Sequence, residues 1–394
     1  MKIIFFTHPS FTSHQSMPRF SKMLSEGMKN KGHEVHIWSP KPFFVKLSKI
    51  NQLKKWLGYI DQYIIFPMAI KKRIKHIDKH VLFVFCDHAL GPWVPYVKKR
   101  HHVIHCHDFL AQQSALGQIP FNKVGFSGKM YQKLIRNGYS QGQNFISVSN
   151  RTKLDLGSFL KKEPFLSEVV YNGLNREFSS EIQGVDILRN ELSENFNMDC
   201  QQGYILHIGG NQWYKNRKGI IKIYDHWRIH CNNKLPLVLI GENPDDELLN
   251  IYKDSCFKED IVFLSGVSDA YINKFYNAAS VFLFPSLAEG FGWPIAEAMA
   301  SGCLVITTNE SPMNEVGSDA AFYIPVMPNH DDFTEFDGWL KEASKVLEKV
   351  ISLSDAERHA YISKGLRNAE RFNQCSALNK IEALYKLILE QKIE

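Results

Sequence analysis

Two consecutive series of short apolar runs, each followed by a helical pattern, limit what this chain can fold into. Lys2–Phe6, Glu34–Trp38, Val81–Phe85, Val103–Cys106 and Asn144–Ser149 make up the first series. Tyr204–Ile208, Leu235–Ile240, Ile261–Leu264, Val281–Phe284 and Cys303–Thr307 make up the second. Runs this short and this apolar suit strands buried on both faces, as in parallel sheets covered by helices. Between them, Met17–Lys31 sets Phe20, Leu24 and Met28 on one helical side, and Gly219–Cys231, Asp269–Ala279 and Pro294–Ala300 read as helices too. At 394 residues there is room for two full cores. The pattern predicts an α/β protein of two doubly wound parallel sheets. The boundary is expected between Asn172-Gly173 and Gly203, with Ser179–Asp199 as polar, helical connecting structure. Ser376–Ile388, with Ile381, Leu384, Tyr385 and Ile388, reads as an amphipathic helix.

No apolar run approaches the ~18 residues of a membrane span, and MKIIFF turns polar at Thr7-His8-Pro9, as a first strand would. Seven cysteines without a CxxC pair suit buried free thiols in a reducing cytoplasm. Charge is uneven. Residues 1–180 hold 27 Lys and Arg against 10 Asp and Glu; residues 181–394 hold 20 against 31. The densest basic stretch, 41–80, has ten Lys and Arg and two acids, interleaved with Phe43, Phe44, Trp56, Tyr59, Ile64 and Phe66. It reads either as a helix with a solvated basic side, or as a surface that meets anionic lipid headgroups or a pyrophosphate-carrying acceptor. No nucleic-acid motif accompanies the charge.

Three segments carry chemistry. In EGFGWPIAEAMASG (289–302), Glu289 follows the run Val281–Phe284, Gly290 and Gly292 permit a tight turn around Phe291, Pro294 suits a first helical turn, and Glu297 lies within that helix. A carboxylate at a strand's end can grip sugar hydroxyls, one in the helix can accept from ribose hydroxyls, and main-chain N–H groups at the turn suit phosphate. In HIGGNQWYKNRKG (207–219), Gly209 and Gly210 open room after a strand, and Lys215, Arg217 and Lys218 supply the cations that a diphosphate leaving group needs. It is neither GxGxxG nor a Walker A loop. In HHVIHCHDFLAQQSALG (101–117), His107-Asp108 closes a strand as a polar edge, and no complete zinc-ligand set appears. His8, Ser10, Thr12, Ser13 and His14 follow strand 1 and are expected to line the same edge. There is no DxD motif for a divalent cation and no GxSxG elbow.

These residues resemble family 4 of the retaining glycosyltransferases, the bacterial glycosyl transferases of group 1, which carry a Glu-x7-Glu signature on two Rossmann-like domains (the GT-B fold). VFLFPSLAEGFGWPIAEAMASGCLVITTN carries the resemblance most strongly, with FLSGVSDAYINKFYNAAS before it, VVYNGLN at 169–175, FISVSNRTKLDL at 145–156 and the SMPRFSKMLSEGMKNKGHEVHIWSP opening. The resemblance implies an acceptor domain at 1–178 facing a nucleotide-sugar donor domain at 179–372 across a cleft, with 373–394 crossing back to the first. It implies that Glu297 holds the nucleotide ribose, that Glu289 contacts the transferred sugar, and that Gly290, Phe291 and Gly292 offer backbone to sugar and diphosphate. Lys215 would neutralise the diphosphate and His107 would stand near the sugar. The family's Gly-Arg after the second-domain strand is Gly-Gly-Asn here (209–211), so the second phosphate cation would be Arg217 or Lys218. Gly266 and Val267 would lie near the base.

The activity so implied is cytoplasmic, metal-independent and without cofactor. It is the retaining transfer of a sugar from a UDP- or GDP-linked donor to a glycan or lipid-linked acceptor. Two rivals remain at this point: a sugar-nucleotide epimerase of similar shape, and a non-catalytic sugar-binding scaffold.

Overall fold

The computed structural model describes residues 1–12, 16–47, 50–174, 176–180, 184–328 and 333–392. The chain divides into two units, 1–175 with 374–394, and 176–373. Ser13 and His14 lie outside the described residues.

Unit 1 carries strands β1 (Lys2–Phe6), β2 (Glu34–Trp38), β3 (Leu82–Phe85), β4 (His102–Cys106), β5 (Asn144–Ser147) and β6 (Leu166–Val169). They form one parallel sheet in the order β2-β1-β3-β4-β5-β6. Its helices are α1 (Ser16–Asn30), α2 (Asn51–Ile60), α3 (Phe66–Ile74), α4 (Leu110–Ala115), α5 (Phe126–Tyr139) and α6 (Asn150–Phe159). A π-helical turn, Asp61–Ile65, joins α2 to α3 without a break. Pro67 there has no N–H for the Tyr63 carbonyl, a known cause of a widened turn. Every residue of β3 and β4 is buried, as the apolar runs predict. The core stacks the Phe6 and Phe85 rings at 4.5 Å beside Trp93.

Unit 2 repeats the scheme with β7 (Ile205–Ile208), β8 (Leu237–Gly241), β9 (Ile261–Ser265), β10 (Val281–Phe284), β11 (Val305–Thr308) and β12 (Phe322–Ile324), in the parallel order β12-β11-β10-β7-β8-β9. Its helices are α7 (Val185–Phe196), α8 (Arg217–His230), α9 (Asp246–Asp254), α10 (Asp269–Ala278), α11 (Trp293–Ala300), α12 (Met313–Gly317), α13 (Phe333–Ile351) and α14 (Asp355–Ala369). The apolar-run criterion misses β6 and β12. Both are edge strands, and β6 reads Leu-Ser-Glu-Val with only Leu166 buried. β12, Phe-Tyr-Ile, is apolar but only three residues long, too short to register as a run.

The last helix, α15 (Gln374–Glu390), belongs to unit 1. Tyr385 is fully buried and its hydroxyl meets His105 Nε2 at 2.8 Å. Burial drives the His105 imidazole down to about 3, so it stays neutral there. Glu382 fastens the same helix to α1 and its turn, with Lys31 and His33 each at 3.0 Å and Lys386 at 2.7 Å. Hydrogen bonds from Lys386 and Lys31, followed by His33, outweigh partial burial and lower the Glu382 carboxyl to about 2. Because that value lies below the ordinary 4.5, the contribution is complete above pH 4.5 and is lost as the pH falls towards about 2. Hydrogen-exchange protection over 378–390, relative to the intrinsic rate at each pH, is therefore expected to fall across that window in the native protein. Glu382→Gln should already show reduced protection there at neutral pH and lose that acid dependence.

Candidate active site

In an open parallel sheet, ligands bind beyond the carboxyl ends of the strands, where the strand order reverses. In unit 2 the reversal falls between β7 and β10. The loops that leave these two strands carry the second and first of the sequence's chemical segments. They are tied together three times: Leu287 N–H donates to the Tyr214 carbonyl at 2.8 Å, Asn216 Nδ2 donates to the Pro285 carbonyl at 3.0 Å, and Lys215 Nζ meets Glu289 Oε1 at 2.7 Å. Ser286 Oγ donates to the same Glu289 oxygen at 2.9 Å. The Lys215 and Glu289 side chains are 14% and 8% exposed, so the pair is largely shielded from water and more firmly held than a surface pair.

Asn216 makes this arrangement possible. Its backbone is left-handed (φ 53°), a conformation Asn tolerates, and its side chain caps α8 by accepting from Gly219 N–H at 3.2 Å. The loop above it is pressed against β8: a Cβ at Gly241 would lie 2.0 Å from the Gly209 carbonyl oxygen. Gly292 turns the chain into α11 with φ 96°, and Phe291 packs its ring 5.4 Å from Phe372. Glu297 follows on α11 and is 6% exposed. Its Oε2 accepts from the Tyr276 hydroxyl at 3.2 Å and its Oε1 from Arg176 Nη2 at 3.4 Å. Arg176 also pairs with Asp269 at 2.7 Å.

The two remaining cations part company. Lys218 pairs with Glu247 on α9. Arg217 is 4% exposed; its Nη1 donates to the Glu242 carbonyl at 2.9 Å and to the Asn211 side-chain oxygen. Among the described residues its Nε and Nη2 have no hydrogen-bond partner, and neither has the buried Nε1 of Trp293. Beneath Gly209, His207 donates from Nδ1 to the Leu283 carbonyl at 3.0 Å, and its Nε2 also stays unpartnered. Burial first, then the Arg217 and Lys215 charges, push that imidazole down to about 3, against the raising effect of the Leu283 bond. Gly266 (φ 69°) and Val267 end β9 at the sheet's outer edge, two strands from the reversal.

Unit 1 has its own reversal, between β1 and β3. There His8, just after β1, bonds through Nε2 to Asp87 Oδ2 at 2.8 Å, just after β3. Burial alone would raise the Asp87 carboxyl, but His88 and His8 hold it well below the usual range. Asp87 also caps the following turn through Ala89 N–H at 3.0 Å. His107 is buried at the end of β4, donates from Nε2 to the Cys86 carbonyl at 2.9 Å, and meets the Phe20 ring edge-on at 4.4 Å. Burial lowers its imidazole and favours the neutral form, against the opposing pull of Asp87. Asp108 accepts from Leu110 N–H at 3.1 Å at the start of α4. Sequence reasoning misses Asp87, Ser286, Tyr276 and Arg176. The first two are polar residues within three positions of a buried strand's end, a signal available in the sequence. Tyr276 and Arg176 reach Glu297 from far along the chain, and no local pattern marks them.

Residues 189–349 match the family described as Glycosyl transferases group 1, and residues 17–178 match Glycosyltransferase Family 4. O-antigen chain mannosyltransferase B of Escherichia coli is 30% identical over 189 residues, 48% of this chain and 46% of that protein, so the aligned stretch spans under half of that relative. O-antigen chain mannosyltransferase RfbU of Salmonella typhimurium is 25% identical over 77% of this chain and 75% of its own. Among solved structures, WaaG, a glycosyltransferase involved in lipopolysaccharide biosynthesis, superimposes with a TM-score of 0.70 at 14% identity, covering 99% of this chain and 100% of that one. HepE of Anabaena, in complex with UDP and glucose, gives 0.69 at 16% identity, covering 98% and 100%. The fold is GT-B. The chain belongs to the glycosyltransferases that these two families describe. Among the described residues no helix is long and apolar enough to cross a membrane, and no group of three or more His, Cys, Asp or Glu is placed to hold a metal ion.

Asn216→Ala removes the α8 cap, leaves the Pro285 carbonyl short of a donor and strains a left-handed position. The expected loss is about 2 kcal/mol in urea unfolding, from about 1 kcal/mol for the cap and a similar amount for the buried bond. Asn216→Gly should recover part of it, since glycine relieves the strain. Equal midpoints for all three proteins would remove Asn216 from this role.

Proposed function

We propose that the protein is a retaining glycosyltransferase that moves a sugar from a UDP- or GDP-linked donor to a glycan or lipid-linked acceptor in cell-envelope polysaccharide or glycolipid synthesis. The observation that carries the reading is the shielded Lys215–Glu289 pair across the reversal of the unit 2 sheet. It sets a cation and a carboxylate where a diphosphate and its sugar would meet. Relatives named as O-antigen mannosyltransferases support the envelope assignment, and a structural neighbour named as a complex with UDP and glucose supports the donor class.

In this reading Glu297 holds the ribose, with Tyr276 and Arg176 fixing its carboxylate. Lys215 neutralises the diphosphate, and Arg217, whose Nε and Nη2 are unpartnered, is the second cation in preference to Lys218. Gly290, Phe291, Gly292, Gly209 and Gly210 give backbone to sugar and phosphates, and Gly266 and Val267 lie towards the base. His107, Asp108 and His8, with Ser13 and His14, serve the acceptor side. The acceptor hydroxyl oxygen attacks the anomeric carbon on the face the diphosphate leaves. The carbon–oxygen bond breaks with its electron pair on the diphosphate, whose oxygen takes the hydroxyl proton. Lys215 and Arg217 stabilise the charge as it develops. Glu289, already holding Lys215 and Ser286, orients the sugar rather than forming a covalent bond to it. The same reading places the enzyme in the cytoplasm, with residues 41–80 against the anionic inner face of the cell membrane.

Lys215→Ala and Glu297→Gln are each expected to lower donor turnover about 100-fold or more, and to abolish the thermal shift that UDP or GDP gives the native protein. The glycosidic product should keep the donor's anomeric configuration by proton NMR. Inversion would overturn the stereochemical assignment, and native kinetics in both variants would overturn the site.

A further inference from the structure

The helix that runs from Asn51 to Ile74 through the π turn leaves a row of large apolar side chains in solvent. Leu53, Trp56, Ile64 and Met68 are 49%, 65%, 55% and 64% exposed, at helical spacings along one side. Exposed apolar rows of this length are unusual on a soluble protein and mark contact surfaces. Asp61 lies within this helix, yet it is not at the surface: its carboxylate is buried and accepts the N–H groups of Phe43, Phe44 and Val45 at 2.9–3.0 Å.

A second row stands on α5. Phe126, Met130 and Leu134 recur every four residues and are 81%, 50% and 47% exposed. The two rows adjoin. Tyr131, one residue beyond Met130, hydrogen-bonds Tyr63 through the hydroxyls at 2.8 Å and packs on Tyr59 at 5.9 Å, and Tyr59 meets Trp56 edge-on at 5.8 Å. Lys54, Lys55, Lys71 and Lys72 flank the first row, and Lys129 and Lys133 the second, all exposed. No Asp or Glu occurs from 109 to 154, and in 41–80 the carboxylates are the buried Asp61 and Asp78, beyond the end of α3.

We propose that these two rows are one platform that docks on an anionic lipid bilayer, the apolar side chains entering the headgroup region and the lysines meeting the phosphates. The inference rests on the membrane contact assigned above to 41–80 and adds α5 to it, which lies outside that basic stretch. Charge complementarity selects the occupant. A second copy of this face would bring lysine against lysine with no exposed carboxylate to answer it, whereas a sheet of anionic headgroups answers all of them.

The test is co-sedimentation with vesicles of phosphatidylglycerol and phosphatidylcholine in equal parts, against phosphatidylcholine alone. The variants are Phe126→Ser/Met130→Ser/Leu134→Ser on α5, Leu53→Ser/Trp56→Ser on α2 and Lys129→Gln/Lys133→Gln. Both apolar variants are expected to lose about tenfold or more in partitioning, and the lysine variant to flatten the salt dependence. All should keep the native circular dichroism, UDP thermal shift and donor hydrolysis. If the α5 variant binds like the native protein while the α2 variant does not, the two-row platform falls and the 41–80 contact stands. If the native protein ignores anionic vesicles, or binds neutral ones equally well, both fall, while donor hydrolysis reports on glycosyl transfer separately. Self-association that the α5 variant abolishes would reassign the face to a second copy of the chain.

Discussion

The contact between Lys215 and Glu289 joins two loops that a parallel sheet would otherwise hold apart. At the reversal of strand order, the chain leaves β7 for one side of the sheet and β10 for the other, so the loops diverge and a crevice opens between them. The ion pair, the Tyr214–Leu287 bond and the Asn216–Pro285 bond close the base of that crevice. Everything assigned to the donor depends on this. The loop of Gly209 and Gly210 rests on Gly241, Arg217 begins the helix that Asn216 caps, and α11 starts from the turn that follows Glu289. Unit 1 solves the same geometric problem with the same kind of contact, His8 to Asp87 across its own reversal. Two sheets with unrelated sequences thus place an acid opposite a base at the equivalent point, because that is where a parallel sheet leaves polar ends without a neighbouring strand.

The architecture was legible because parallel strands buried on both faces write themselves as apolar runs. All ten runs correspond to strands, with ends displaced by at most two residues. The two strands that were not legible, β6 and β12, lack a readable run for different reasons: β6 is half polar (Leu-Ser-Glu-Val) and β12 is three residues long, whereas the other two edge strands, β2 and β9, are five residues each and do read as runs. The carboxylates and the lysine of the candidate site stood out in the sequence by their glycine turns: Glu289 and Lys215 lie in the loops after β10 and β7, and Glu297 in the helix that follows the first of these loops. The residues that fix them did not. Tyr276 reaches Glu297 from α10, and Arg176 lies 121 positions before it, so their roles exist only after the sheet has assembled. The choice between Arg217 and Lys218 was likewise closed to the sequence, since the two are neighbours. One helix step turns Lys218 to Glu247 and Arg217 inward to Glu242 and Asn211.

That inward arginine bears on the departure from the family pattern at 209–211. The segment has Asn211 where the family has a cation, and Asn211 is held by Glu242 through its N–H at 3.0 Å and by the Asn243 carbonyl through its side chain. Its side-chain oxygen then accepts from Arg217. A buried positive charge thus stands at the first residue of α8, where the protein supplies two acceptors and, among the described residues, leaves two nitrogens without a partner. Burial lowers the Arg217 guanidinium, against the pull of Asp245 and Glu242. Its ordinary value is so high that it stays charged. A buried cation with unused donors favours an anion strongly, because few competing waters screen it.

The charge imbalance between the two halves needs the same distinction between groups that are engaged and groups that are not. A count over 1–180 gives 10 acids against 27 bases, but the acids of unit 1 are not evenly available. Asp61 is occupied by three N–H groups and Asp87 by two histidines, while Asp108 accepts from Leu110. These are carboxylates used to fix backbone and site, and they contribute little to the outer field. The lysines of α2, α3 and α5 are exposed, Lys71 lying over the Tyr96 ring at 5.5 Å. Sequence alone placed the basic density at 41–80, because it could only count charges along the chain. Folding joins α5 to that stretch through the Tyr59, Tyr63 and Tyr131 cluster, and it withdraws the one acid that would have interrupted the surface. A modest local excess of lysine thereby becomes a continuous cationic and apolar face, a property of the packed helices rather than of any one segment.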